Sequence, residues 1–229
     1  IGTAAGNYTL NQPIGLSASI TPATLMYVAT AATKTYGDAN PALTGNVTGF
    51  VDGEDEASVT TGTLVFTSPA TTSTEIGTTA INGGGLTANH GNYVFEQHAD
   101  NATALIITQR PLDFTGSRPY NGSNEFMAAQ LFAGNIVNND AVDVTGSATV
   151  SSKDVNTYTS FTSNSLVSSN NNYKVTAGEI SVSITQKAAS VTPDGNSKTY
   201  GDSDPTLTGT LIGFLEADGI SATYSRATG

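Results

Sequence analysis

Apolar residues in this chain recur at every second position far more often than at helical spacing. "ATLMYVATAATKTY" (23–36) alternates and is rich in β-branched residues, and "TGTLVFTS" (61–68) is a second strand run. "GNYVFEQHADNATALIIT" (91–108) reads as two strands around a polar turn. Gly83 to Gly85 interrupt the pattern with a turn or bulge of the kind only glycine tolerates well. One segment has room for a single helical turn, "GFVDGEDEASV" (49–59), where acidic residues would complement the exposed amides at its start. Its counterparts are "AGNIVNNDAVDV" (133–144) and "GFLEADGISAT" (213–223). The expected fold is mainly β, with at most one short helical turn per unit.

The pattern repeats. "KTYGDANPALTG" (34–45) returns as "KTYGDSDPTLTG" (198–209), and Tyr120 in "GSRPYNGSNEF" stands between them. A basic residue precedes each Tyr by two places, as Lys34, Arg118 and Lys198. Two further markers keep the same order: Asn-Tyr at Tyr8, Tyr93 and Tyr173, and Ile-Thr at Ile20, Ile107 and Ile184. A period of about 80 residues results, which is the mark of a tandem array. The expected organisation is residues 1–22 as the closing strands of a preceding module, modules at 23–109 and 110–186, and the first half of another at 187–229. Linkers of about four residues, as in "ITQRPL", would hold neighbours stiffly, so the small modules, β-sandwich or β-grasp-like, are expected to line up as a rod.

Composition narrows the function. Charged residues make up 12% of the chain, and the net charge of −11 would repel a polyanion, which excludes nucleic acid as a partner. With no cysteine, neither disulfides nor thiolate metal sites are available, and each core must be apolar. No apolar run approaches the roughly 18 residues that span a bilayer, and "IGTAAGNYTL" lacks the regions of a signal peptide. The sequence is therefore read as an excerpt from a longer extracellular chain.

The residues from "KTYGDANPALTGNVTGFVDGED" to "HGNYVF" resemble the MBG domain of the YGX type, and "KTYGDSDPTLTGTLIGFLEADG" resembles the first half of another. The middle unit is similar to the companion YDG domain, with Asn121 where that name has Asp. The resemblance implies repeats of large bacterial surface or exported adhesins, filamentous-haemagglutinin-like, and it implies no catalytic residues and no cofactor.

Without that resemblance, the repeated phrase reads as architecture: Tyr36, Tyr120 and Tyr200 as core anchors, Gly37-Asp38, Gly122 and Gly201-Asp202 as turns, and Pro41 and Pro205 starting the next strand from an extended residue. Tyr93 and Tyr173 belong to the same repeated set. The rival reading puts Ca2+ on Asp38 and Asn40 or on Asp202 and Asp204 at the turns, or on the cluster Asp52, Glu54, Asp55 and Glu56. The turn reading is preferred, because the acids lack an EF-hand spacing and the middle unit offers Asn instead. For the first module the expected core is Leu25, Tyr27, Tyr36, Leu43, Phe50, Leu64, Phe66, Ile81, Tyr93, Phe95 and Ile107. The function expected is a stalk that projects a distal binding region from the cell surface, with neighbouring repeats as partners. The alternative is that loops such as "INGGGLTANHG" and "VDGEDEAS" themselves bind host or environmental glycans.

Overall fold

The computed structural model describes residues 3–9, 14, 15 and 17–227, and it is mainly β. The described chain forms two compact units. The first comprises Ile1–Ala32, Pro41–Pro69 and Thr78–Leu105; the second comprises Thr33–Asn40, Ala70–Gly77 and Ile106–Gly229.

In the first unit the strand Ala23–Ala29 is central. It pairs antiparallel with Gly45–Thr48 and parallel with Tyr93–Gln97. Its period-2 pattern turns Leu25 and Tyr27 inward, where they meet Val47, Val59 and Tyr93. Phe50, Leu64, Phe66 and Phe95 close over this cluster half-buried, and Tyr27 stacks on Phe95 at 5.0 Å between ring centres. Ile81 and Leu105 are fully buried in the same unit.

The glycines at 83–85 do not break the strand. They run inside Asn82–Ala88, which pairs antiparallel with Thr60–Thr67. The irregularity falls in the partner strand, between Gly62 and Val65. Gly83 is required here by close approach, since a Cβ would lie 2.5 Å from Tyr27. The helical turn forms as Glu56–Val59, where Asp55 accepts from the Ser58 amide at 2.9 Å and Ser58 answers to the Asp55 amide at 3.0 Å. Asn101 is buried in a 3-10 turn and satisfies two backbone groups, accepting from Ala29 N and donating to Tyr27 O, each at 2.8 Å. Of the expected closing strands in 1–22, the described residues hold a 3-10 turn at Ala5–Asn7 and no strand; Leu10 to Pro13 lie outside them. Ile14 and Ile20 are exposed, so the described residues of this stretch pack no apolar side chain into a core.

In the second unit Asp113–Pro119 pairs antiparallel with Leu131–Gly134 and parallel with Ile180–Thr185, which takes Asn156–Tyr158 on its other edge. A second sheet joins Glu125–Met127, Ser147–Thr149 and Ser163–Asn164. Phe126, Val150, Tyr158, Val182 and Ile184 form the core. Further along, Ser190–Pro193 pairs antiparallel with Gly209–Ile212.

The repeat is visible in register. Met26↔Thr48, Asp113↔Gly134 and Ser190↔Ile212 are equivalent pairs, and each leads into the loop that the sequence placed in correspondence. The Asn-Tyr marker is equivalent too, since Tyr93 pairs parallel with Ala23 and Tyr173 with Arg110. Among the described residues no helix is long and apolar enough to cross a membrane.

Candidate functional site: repeated turns and the loops that receive them

Each Tyr-Gly phrase is a turn held by the cation that precedes it. Asp38 N donates to Thr35 O at 3.0 Å and Asp202 N to Thr199 O at 3.1 Å, with Gly37 at φ 88° and Gly201 at φ 95°. A positive φ at the third position is what a type II turn demands, and glycine adopts it without strain. Lys34 Nζ then donates to Asp38 O at 3.1 Å and Lys198 Nζ to Asp202 O at 3.0 Å. The middle repeat spells the turn one residue longer, and there Arg118 reaches both Asn121 Oδ1 at 2.7 Å and Ser123 O at 2.6 Å. Burial pushes the Lys34 ammonium below its usual range, with nearby Asp38 opposing the shift. Burial likewise lowers Arg118, whose guanidinium also lies 4.7 Å from the centre of the Phe126 ring. The basic residue that recurs two places before Tyr is thus a clamp on the turn.

The second element is a loop closed by the same backbone hydrogen bond in three spellings. Glu54 N donates to Val51 O, Asp140 N to Val137 O and Asp218 N to Leu215 O, at 3.0, 3.0 and 3.1 Å. Left-handed backbone carries the first two at Asp52, Gly53, Asn138 and Asn139, whereas the third turns right-handed in the 3-10 helix Glu216–Asp218. In two of them the Asn-Tyr tyrosine locks the turn from inside. Tyr93 Oη accepts from Val51 N at 3.1 Å and donates to Glu54. Tyr173 Oη accepts from Val137 N at 3.0 Å and donates to Asp140 at 2.8 Å. The hydrogen bond to Glu54 raises the Tyr93 phenol, and burial first, with Asp140 adding to it, pushes Tyr173 up to about 12. At the third loop Asp218 takes the hydroxyl of Tyr120 instead, at 2.8 Å, with Lys153 at 3.8 Å.

Within the second unit, turn and loop meet twice. At the first joint Tyr36 packs edge-on against Tyr173, with ring centres 5.7 Å apart, and Gly37 sits so close to Val137 that a Cβ would collide with it. Arg110 fastens this joint by donating from Nε to Tyr36 O at 2.7 Å, by pairing with Asp38 and by donating to Asn135 Oδ1 at 2.8 Å. Asn138 adds a bond to Thr72 O at 3.1 Å and Asn172 one from Ile76 N at 3.1 Å. At the second joint a Cβ on Gly122 would lie 3.1 Å from Leu215, and Tyr120 bonds Asp218. Gln186, Lys187, Ala189 and Phe214 line the cleft around that contact.

These geometries correct the expected roles. Tyr36 is buried, but its ring packs on Tyr173 of the middle repeat, so it anchors a joint. Tyr120 is half-buried at the rim of the second core and reaches out to Asp218. Tyr200 is 103% exposed and anchors no core among the described residues, because nothing lies against its turn as the middle repeat lies against Tyr36. Pro41 is exposed and Pro205 half-buried beside the strands they precede.

The calcium candidates are distributed among other tasks. Glu54 holds Tyr93, Asp55 caps the helical turn, and Asp204 bridges Lys198 at 2.6 Å and Arg226 at 2.8 Å. Arg226 first, then Lys198, holds the Asp204 carboxyl below the usual range. Asp52 lies at the left-handed corner of its loop, and Asp202 is exposed. Among the described residues no three His, Asp or Glu side chains converge as a metal site would require. Arg110, Val137, Asp140, Leu215 and Asp218 were not singled out from sequence. The signal available was a carboxylate three places after an apolar residue in each of the three corresponding loops.

A family model described as the MBG domain (YGX type) matches residues 25–103 and 189–229. No curated protein and no solved structure matches the chain.

Proposed function

Because the chain belongs to the MBG domain (YGX type) family, we propose that it is a non-enzymatic spacer region of a large bacterial surface or secreted adhesin, with the middle repeat as its YDG-type companion. The observation that carries this reading is where the repeated residues are spent. Tyr36, Gly37, Tyr120 and Gly122 contact the next repeat, and Arg110 reaches back to the preceding one, so the residues that recur along the chain serve the succession of repeats. The acidic surface and the absence of cysteine support an extracellular setting with apolar cores.

The test replaces residues 23–186 in the full-length protein with a flexible Gly/Ser linker of equal residue number. Such a linker has a broad distribution of end-to-end distances, whereas folded modules joined by short linkers fix theirs. The spacer reading expects the height of the distal region above the cell surface to become broadly distributed and adhesion under flow to fall, while the isolated distal region binds its target unchanged. Glycan-array binding by this segment alone, abolished by alanine changes in residues 52–56 or 81–91, would favour the loop-binding alternative.

A further inference from the structure

We infer that the cleft where Glu75 and Ile76 of the first repeat meet the Asn-rich run at 169–172 of the middle repeat binds a neutral saccharide through adjacent hydroxyls of one sugar ring. Both walls belong to the second unit. With Ala141 they line an open cleft of about 460 Å3, inside the range of about 300–1,000 Å3 usual for small-molecule sites. Bonds already made within the chain decide what the walls present. Asn170 Oδ1 accepts from Asn172 N at 3.0 Å, Asn172 Oδ1 accepts from Ile76 N at 3.1 Å, and Ser169 Oγ accepts from Asp143 N at 2.9 Å. Each amide oxygen is spent on a backbone N–H, which fixes the amide's orientation and leaves its Nδ2 as a free donor. Among the described residues neither Nδ2 has a partner, the Ser169 hydroxyl proton has none, and the Glu75 carboxylate is unpaired. Asn172 is 9% exposed, so one of these donors is held in a packed wall of the cleft.

Fixed donors beside a free carboxylate select the ligand. An anion would take the amide donors but be repelled by Glu75, and no cation lines the cleft to hold it. An ammonium group would pair with Glu75 and leave the amide donors unmet. Calcium is bound by oxygens, and the side-chain oxygens of Asn170 and Asn172 are already spent. A hydroxyl accepts from an N–H and donates to a carboxylate, so it alone satisfies both kinds of group. Two hydroxyls on neighbouring ring carbons would span the amides and Glu75 together, while Ile76 and Ala141 offer a small apolar surface to the C–H face of the ring. This cleft shares no residue with 52–56 or 81–91, and the inference stands whether or not the chain is a spacer.

The test follows the side-chain amide signals of Asn170 and Asn172 by NMR in the isotope-labelled chain. The probes are the methyl glycosides of glucose, galactose, mannose and N-acetylglucosamine, with glycerol, methylammonium and Ca2+ as controls. At least one glycoside is expected to shift both signals saturably, with millimolar or tighter affinity, and the controls are not. Asn170→Asp and Asn172→Asp each keep the oxygen that receives a backbone N–H and remove the donor, and each should weaken binding about ten-fold or more. Glu75→Ala breaks no hydrogen bond within the chain, so it remains a test even if an asparagine variant fails to fold, and it should weaken binding to a similar degree. Equal shifts with glycerol would mean that the cleft is merely solvated, and would overturn the inference. No saturable shift with any glycoside, a preference for Ca2+ or methylammonium, or binding indifferent to Glu75→Ala would overturn it too. Saccharide binding lost instead on alanine changes at 52–56 or 81–91 would place the site in those loops and overturn it as well.

Discussion

Tyr36 and Tyr200 occupy the same place in two nearly identical twelve-residue segments, and their turns share the closing hydrogen bond and the Lys clamp, yet one side chain is 4% exposed and the other 103%. The difference lies wholly in the surroundings that face them. A short local sequence with a Lys clamp and a positive-φ glycine is enough to specify the turn, whereas burial of its Tyr takes Thr72 and Thr108 of its own repeat behind the turn and Tyr173 of the next repeat against the ring. The repeated phrase is thus half of an interface written into a local motif.

The largest effects should separate the two tyrosines. Tyr36→Ala removes a buried ring and its edge contact with Tyr173, and is expected to cost on the order of 3 kcal/mol. Tyr200→Ala removes a ring that touches little and should stay within about 0.5 kcal/mol. Denaturant unfolding of the two variants measures both, and equal losses would show that the turn's stability, and not its burial, is what the ring provides. The glycines should rank in the same order. Gly201→Ala carries only the strain of a left-handed residue, about 1 kcal/mol. Gly37→Ala adds overpacking against Val137, of about 1 to 3 kcal/mol more.

A middle-sized effect distinguishes the buried latch by pH. Tyr173 is neutral in the folded chain up to about 12 against an ordinary 10.0, because burial opposes its ionisation. Its contribution to stability is complete below about pH 10 and is lost as pH rises toward 12, since the unfolded chain releases its proton first. Tyr173→Phe should lower stability at neutral pH by about 1 kcal/mol through the lost bonds to Val137 and Asp140. It should also flatten the alkaline limb of the stability curve between those two values. An alkaline limb unchanged by Tyr173→Phe would assign that loss to other groups.

The range of each interaction decided how much of this was legible in the sequence. Period-2 runs placed Leu25 and Tyr27 inward, and the acid-rich stretch before "EASV" announced a capped turn, because both depend on neighbours a few residues away. The three markers gave the repeat. Of the glycines at 83–85, Gly85 lies at φ 86° opposite the register shift between Gly62 and Val65, where a bulge was expected, while the cause of Gly83 is the Tyr27 ring on another strand and was not legible. The latch escaped because Glu54 and Tyr93, or Asp140 and Tyr173, are joined only when sheet register brings them together. Arg110 read as part of a linker, since its partners Tyr36 and Asp38 lie more than seventy positions earlier. Tyr200 read as core because its letters equal those of Tyr36; the letters carry the turn, and the partner carries the burial.

The smallest effect belongs to the ion pair at the first joint. Asp38 is about half exposed at 53%, so its pair with Arg110 is open to solvent on one side and should contribute less than about 1 kcal/mol. Asp38→Asn is expected to lose that amount at low ionic strength and progressively less as salt is raised past the point where the screening length falls below about 8 Å. Asp202→Asn in the same chain should change nothing at any salt concentration, because Asp202 has no cation opposite its carboxylate among the described residues. The double variant Asp38→Asn with Arg110→Gln should then be no worse than Arg110→Gln alone for that pair, while the bond from Arg110 to Tyr36 O is lost in both. Additive losses in this cycle would mean that Asp38 and Arg110 act separately, and that the carboxylate of the turn does not help to hold the joint.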